Sequence, residues 1–393
     1  MKLYHRLSGV ILLLLILFTQ IPFRSALPSP PPLPLQTSLQ SESEQDRLER
    51  EFQQIQRSQI ETYLDRKLLD SYAQRRAAWQ RDFSGIQAYE RSIAPWRQEL
   101  IEYLGGFPYT PAPLDPREDR IRTTSTHSAW RVRIRAFENV EVYGILLTPD
   151  PARFPGKRPA LLCLHGMLST PELVCGIVER EDYHKRFGLQ AVERGYVVFA
   201  PLMINNAPRR EWLDRKGIMI GQRIQSLEQF KMLRAVDYLS GRSDVAADRI
   251  GVYGISWGGR TAMYSAAIDP RIACCVISGH FMESTRKMVF PREPESYSTY
   301  IQAGHAYAFF SGQATRFADA DVVSLICPRP VHIEQGRLDR VSTWREAQQE
   351  FAIVRDYYSR LGIADRASFE IFEGGHYVAG LQSFEFLDRW LRP

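Results

Sequence analysis

The stretch Ile250-Gly-Val-Tyr-Gly-Ile-Ser-Trp-Gly-Gly259 reads as a β-strand that ends in a nucleophile. Ile250, Val252, Tyr253 and Ile255 form a short β-prone run, and Gly254-Ile255-Ser256-Trp257-Gly258 matches G-x-S-x-G. That pattern holds a serine hydroxyl on a strained strand-to-helix turn. The glycines are there for steric reasons, because at so sharp a corner a Cβ at 254 or 258 would strike the neighbouring strand or helix. The helix-prone run Arg260 to Ala267 follows, which completes the strand-turn-helix setting the motif requires.

A serine hydroxyl is a weak nucleophile at neutral pH and needs a base, which in turn needs an orienting acid. Of eight histidines, His376 has the best setting, because Glu373-Gly-Gly-His376 follows the last expected strand. Asp339, in Gly336-Arg-Leu-Asp339 after the strand Pro330 to Ile333, is the expected acid. Ser256, Asp339 and His376 then occur in the chain order of a strand-elbow triad. Glu334 on that strand and Glu283 after the Ile272 strand are the weaker acids. The oxyanion needs two backbone N–H donors, one from Trp257 and one from the loop His165-Gly166-Met167-Leu168. Met167 is the expected donor there, with Gly166 and Leu168 as substitutes. His165 is read as supporting the loop, and His280 and His305 as candidates for the pocket mouth.

Outward from the elbow, Ala160 to Leu164, Tyr196 to Ala200, Ile272 to Ile277, Pro330 to Ile333 and Phe369 to Phe372 are short, mostly apolar runs. Strands buried on both faces look like this. Helical stretches, notably Ile224 to Leu239 and Trp344 to Leu361, separate them and imply a mainly parallel sheet. Trp130 to Arg135 and Val140 to Leu147 suggest antiparallel strands at one edge. Apolar residues at helical spacing from Leu48 to Tyr72, and again from Ser92 to Leu104 with Pro95 in the first turn, predict a helical segment over 46–115. It should pack on the catalytic domain expected at 116–393, since isolated helices of this length are marginal in water.

At the N-terminus, Lys2 and Arg6 precede the apolar run Val10 to Phe18, the order of a secretory signal. The run is interrupted by Pro22 and falls short of the roughly 20 residues that span a bilayer. Arg24 disfavours cutting after Ala26, so 1–27 is expected to be a signal peptide or an uncleaved membrane anchor, followed by a proline-rich linker over 28–45. The protein is therefore expected to be exported. A net charge of +5 on 393 residues, without a dense basic block, gives nucleic-acid binding little support. Five cysteines cannot all pair within one chain, and Cys163, Cys274 and Cys275 sit in apolar runs where cysteine acts as a small hydrophobe. With neither C-x-x-C nor H-E-x-x-H, no metal site and no cofactor is expected.

Leu164-His-Gly166, Asp248 to Gly259, Gly336-Arg-Leu-Asp339 and Gly375-His376 together resemble the α/β-hydrolase superfamily, over roughly Trp130 to Pro393. Asn205-Asn206, Gln222 and Cys327-Pro-Arg-Pro330 are similar to its dienelactone-hydrolase-like and acetyl-xylan-esterase-like branch. That resemblance implies an eight-stranded, mostly parallel sheet and metal-free hydrolysis of carboxylic esters, often of small acyl groups on carbohydrate. The helical N-terminal extension and Met167-Leu168-Ser169, where related loops are often glycine-rich, depart from it. A peptidase of the prolyl-oligopeptidase type shares the elbow and the order of the triad, but the chain has no evident propeller. A non-catalytic binding protein on the same scaffold is the other alternative.

Overall fold

The computed structural model describes residues 43–289 and 305–392. The expected signal or anchor at 1–27 and most of the proline-rich linker lie outside them. Among the described residues no helix is long and apolar enough to cross a membrane. The chain divides into two units, residues 1–58 and 59–393. Of the first, residues 43–58 are described: they are exposed and form the start of helix α1 (Glu44–Ala78), where the Ser43 hydroxyl accepts the Asp46 N–H.

The second unit is built on a sheet of nine strands: β1 (Arg117–Thr123), β2 (His127–Phe137), β3 (Val140–Pro149), β4 (Arg158–Leu164), β5 (Val197–Pro201), β6 (Val245–Ile255), β7 (Ile272–Ser278), β8 (Val331–Gly336) and β9 (Ala367–Phe372). Their order is β1-β2-β3-β5-β4-β6-β7-β8-β9. The pairs from β5 to β9 are parallel, while β1, β2 and β3 join antiparallel. This is one strand more than the eight implied by the resemblance. The added edge strand, Arg-Glu-Asp-Arg-Ile-Arg-Thr, is exposed along most of its length and carries no apolar alternation to announce it.

Alternation does decide the rest. In β4, Leu162 and Leu164 enter one core and Leu161 and Cys163 the other, because successive side chains of a strand leave on opposite faces. The first core is covered by α2 (Ile86–Tyr103), α6 (Ile224–Ser240), α7 (Trp257–Ile268) and α11 (Trp344–Arg360), the second by α4 (Phe187–Glu193) and α12 (Leu381–Leu391). Further helices fill the connections: α3 (Pro171–Val174), α5 (Ala207–Ile218), α8 (Ser284–Val289), α9 (Gln313–Arg316) and α10 (Asp319–Ser324).

Within the second unit, the helical extension packs on the sheet domain through Tyr89, Ile93, Leu100 and Leu104 of the α2 region, all fully buried. Trp79 and Trp96 stack at 4.2 Å between ring centres. The expected start of α2 needs correction. The helix begins at Ile86, so Pro95 lies mid-helix rather than in the first turn. An interior proline costs roughly 3 kcal/mol, and the burial of three apolar side chains on this helix, each contributing about 1.5–3 kcal/mol, offsets it. Arg75 at the end of α1 is buried and pairs with Glu283 at 3.3 Å and Asp321 at 3.1 Å.

Candidate active site

At the end of β6 the chain turns into α7 through Ser256, whose φ of 59° and ψ of −124° are a strained conformation for a side chain with a Cβ. The turn is as tight as its glycines imply. A Cβ on Gly254 would meet the carbonyl of Gly258, and one on Gly258 the carbonyl of Leu164, both closer than 3.0 Å. The Ser256 N–H donates to the carbonyl of Ser278 at 2.8 Å, which anchors the elbow to the end of β7. Among the described residues its hydroxyl makes no hydrogen bond.

Asp339 and His376 lie on the loops that follow β8 and β9, and the structure brings them together. His376 Nδ1 is 2.7 Å from Asp339 Oδ2, so with Nδ1 as donor the Nε2 face of the ring is left to exchange a proton. The other carboxylate oxygen of Asp339 accepts the Val341 N–H at 2.8 Å. Both groups press on Gly279, one residue beyond Ser278: a Cβ there would stand 3.0 Å from the His376 ring and 3.2 Å from Asp339. The end of β7 therefore holds the elbow by one residue and seats the acid–imidazole pair against the next.

The two weaker acids have other partners. Glu334 is fully buried and accepts from Tyr253 Oη, Ser278 Oγ, Ser383 Oγ and the N–H groups of Ala379 and Gly380, at 2.7 to 3.1 Å. It ties β6, β7 and α12 to the loop that carries His376. Glu283 pairs with Arg75. Lys287, buried on α8, donates to the carbonyl of Val341 in the acid loop, and burial pushes its ammonium down to about 8.

The loop after β4 narrows the choice of oxyanion donor. The Gly166 N–H is taken by His184 Nε2 at 2.8 Å, and the Leu168 N–H by the carbonyl of Asn205 at 2.9 Å. Among the described residues the Met167 N–H has no partner, nor does that of Trp257 at the first position of α7, where no intrahelical acceptor exists. Gly166 approaches the nucleophile, its Cβ position falling 3.0 Å from Ser256 Cβ. His165 is buried, with Nδ1 on the Gly166 carbonyl and Nε2 accepting the Met203 N–H. Burial drives its pKa down to about 4, so it is a neutral strut of the loop. His280 is buried beside Asp319 rather than placed at a mouth, while His305 is partly exposed and tilts against Tyr307.

Asp182 and His184 had no signal in the sequence, since an aspartate two residues before a histidine has no motif. His184 Nδ1 lies 2.9 Å from Asp182 Oδ2, and its Nε2 accepts the Gly166 N–H of the loop after β4. All five cysteines are buried and unbonded to one another.

Comparison with known proteins bears on the fold that carries this geometry. Residues 170–324 match the model of the dienelactone hydrolase family; the match contains Ser256 and ends before Asp339 and His376. The candidate hydrolase YtaP of Bacillus subtilis (strain 168) is 24% identical over 313 residues, 75% of this chain and 98% of YtaP. Among solved structures, a candidate acetyl xylan esterase from Bacteroides fragilis superposes with a TM-score of 0.59 at 16% identity, over 79% of this chain and 86% of that one. A glucuronoyl esterase from Solibacter usitatus gives 0.54 at 15% identity, over 76% of this chain and 92% of that one. From β1 to α12 the chain has the α/β-hydrolase fold, and residues 170–324 at its centre match the dienelactone hydrolase family model.

Proposed function

We propose that the protein is a serine hydrolase of carboxylic esters, acting through Ser256, His376 and Asp339. The observation that supports this most is the Asp339–His376 pair at 2.7 Å, seated on Gly279 beside the residue that holds the Ser256 elbow. Ser256 Oγ attacks the ester carbonyl and His376 Nε2 takes its proton. The carbonyl oxygen, now an anion, is held by the N–H groups of Trp257 and Met167. The C–O bond to the alcohol breaks as His376 returns the proton to the leaving oxygen, which leaves an acyl-serine. Water, deprotonated by the same imidazole, attacks that ester and releases the carboxylic acid. Asp339 keeps the ring in the Nδ1–H tautomer and stabilises the imidazolium that forms twice in the cycle.

Within that class the reading extends to short acyl groups, acetyl above all, on carbohydrate-type alcohols. The structural neighbour named as an acetyl xylan esterase supports it, the neighbour named as a glucuronoyl esterase supports a carbohydrate ester without an acetyl group, and the charged-then-apolar N-terminus fits an exported or surface-anchored enzyme. Hydrolysis of p-nitrophenyl acetate by wild type and Ser256→Ala is the test, with turnover expected in the first and absent in the second. Equal turnover in both overturns the assignment. A strong preference for butyrate or longer chains would overturn the acetyl refinement alone.

A further inference from the structure

Between β4 and α4 the segment Asp182-Tyr183-His184 touches both halves of the proposed machinery. His184 Nε2 accepts the Gly166 N–H at 2.8 Å, and Asp182 Oδ2 lies against both His184 Nδ1 and Ser169 Oγ, each at 2.9 Å. The Tyr183 hydroxyl donates to the Met167 carbonyl at 2.6 Å, its ring stacks on His376 with centres 5.5 Å apart, and its own carbonyl accepts the Val378 N–H at 2.9 Å.

We propose that His184, oriented by Asp182, is a positioning residue for the oxyanion loop: by taking the Gly166 N–H it fixes the loop so that the Met167 N–H alone faces the substrate. The inference rests on the serine-esterase reading. The chemistry is that of tautomer selection. A carboxylate at Nδ1 keeps the proton there, so Nε2 remains an acceptor, and only an acceptor can hold a backbone N–H. Full burial of the His184 side chain, which disfavours the imidazolium, works in the same direction. If Nε2 carried a proton, two donors would face one another at 2.8 Å and the Gly166 peptide would rotate away. Met167 follows Gly166 directly, so the rotation would carry its N–H out of line.

Such a residue acts on the transition state, because an oxyanion donor strengthens its bond as charge develops on oxygen. The test measures kcat and KM for p-nitrophenyl acetate, with near-ultraviolet circular dichroism as the check on folding. Wild type against Ser256→Ala first establishes the serine chemistry, and failure there sinks the function without bearing on His184. With that contrast in place, His184→Phe keeps an aromatic ring, though a larger one, and removes the acceptor; its kcat is expected to fall about 10²- to 10³-fold, the loss typical of a mispositioned oxyanion donor, with KM within about threefold. His184→Gln restores an acceptor near the Nε2 position and is expected to recover at least about tenfold of that loss. A folded His184→Phe with unchanged kcat, or equal losses in the two variants, overturns the proposal. Should His184→Phe not fold, Asp182→Asn carries the test, since an amide at that position can donate to Nδ1 and favour the wrong tautomer. The same kcat-selective loss is expected, and unchanged kcat refutes it.

Discussion

In the proposed mechanism Asp339 has no role of its own in bond making, yet its replacement should be among the most damaging. Asp339→Asn leaves the shape intact and can hold His376 in the tautomer that cannot accept the serine proton; kcat for p-nitrophenyl acetate is expected to drop roughly 10³- to 10⁴-fold, and a loss below tenfold would remove Asp339 from the mechanism. Gly166 makes a different prediction at the same scale. A methyl there would collide with Tyr183 Oη and press on Ser256 Cβ. Gly166→Ala should therefore lower kcat by at least about 10²-fold with little change in melting temperature, and unaltered kcat would show that the loop tolerates the methyl. Ser256, Trp257 and Met167 could be picked out as candidates from the sequence because the elbow and the loop after β4 are local patterns carried by consecutive residues. Asp339 and His376 could be picked out only from their places after expected strands together with chain order. His184 could not, since it meets Gly166 only where a loop 18 residues further along the chain turns back.

Elements show where periodicity suffices. The runs that became β4 to β7 are apolar on both faces because helices cover both faces, and the hydrophobic residues themselves report that burial, while β8 and β9 carry His332, Glu334, Ser368 and Glu370 on one face. β1 escaped because charged residues fill an edge that needs no burial, and the interior proline of α2 escaped because proline rules favour the first turn. The end of α1 carries a testable consequence. Arg75 is a buried cation between Glu283 and Asp321, and Asp321 also pairs with Arg81 at 2.6 Å, so Arg75→Ala would strip Glu283 of this partner while Asp321 keeps Arg81, and should cost about 3 kcal/mol in urea unfolding. Arg75→Met is expected to be no better than alanine if charge is what matters; a methionine variant as stable as wild type would assign the effect to packing. Glu334 differs in having five neutral donors and no cation among its hydrogen bonds. Glu334→Gln turns one acceptor oxygen into a donor facing donors, and a loss of about 1–3 kcal/mol should appear in the same assay.

For the molecule as a whole, burial of titratable groups sets how stability responds to acid. His165 titrates near 6.5 when unfolded and about 4 when folded, because burial opposes its charge. Between those values the unfolded chain holds a proton the folded chain does not, so this contribution to stability is complete above 6.5 and is lost as the pH falls toward 4, by on the order of 3 kcal/mol. Burial raises Asp319 to about 6 and lifts Glu350 as well, and these carboxyls act in the opposite sense. The decisive quantity is therefore a difference: the stability deficit of His165→Gln relative to wild type should shrink by about that amount between roughly pH 7.5 and 4. A deficit independent of pH would show that His165 is protonated as readily inside as outside.

The rim of the sheet has a consequence for company rather than catalysis. Edge strands expose unpaired N–H and C=O groups that can recruit a second chain. β1 offers those groups behind Arg117, Glu118, Asp119 and Arg120, all exposed, so an incoming strand would have to match a row of mixed charges or strip them of water. The nine-stranded sheet thus ends on a border that resists being lengthened, and a crowded solution of this protein is protected from fibre growth at that border by residues that take no part in its chemistry.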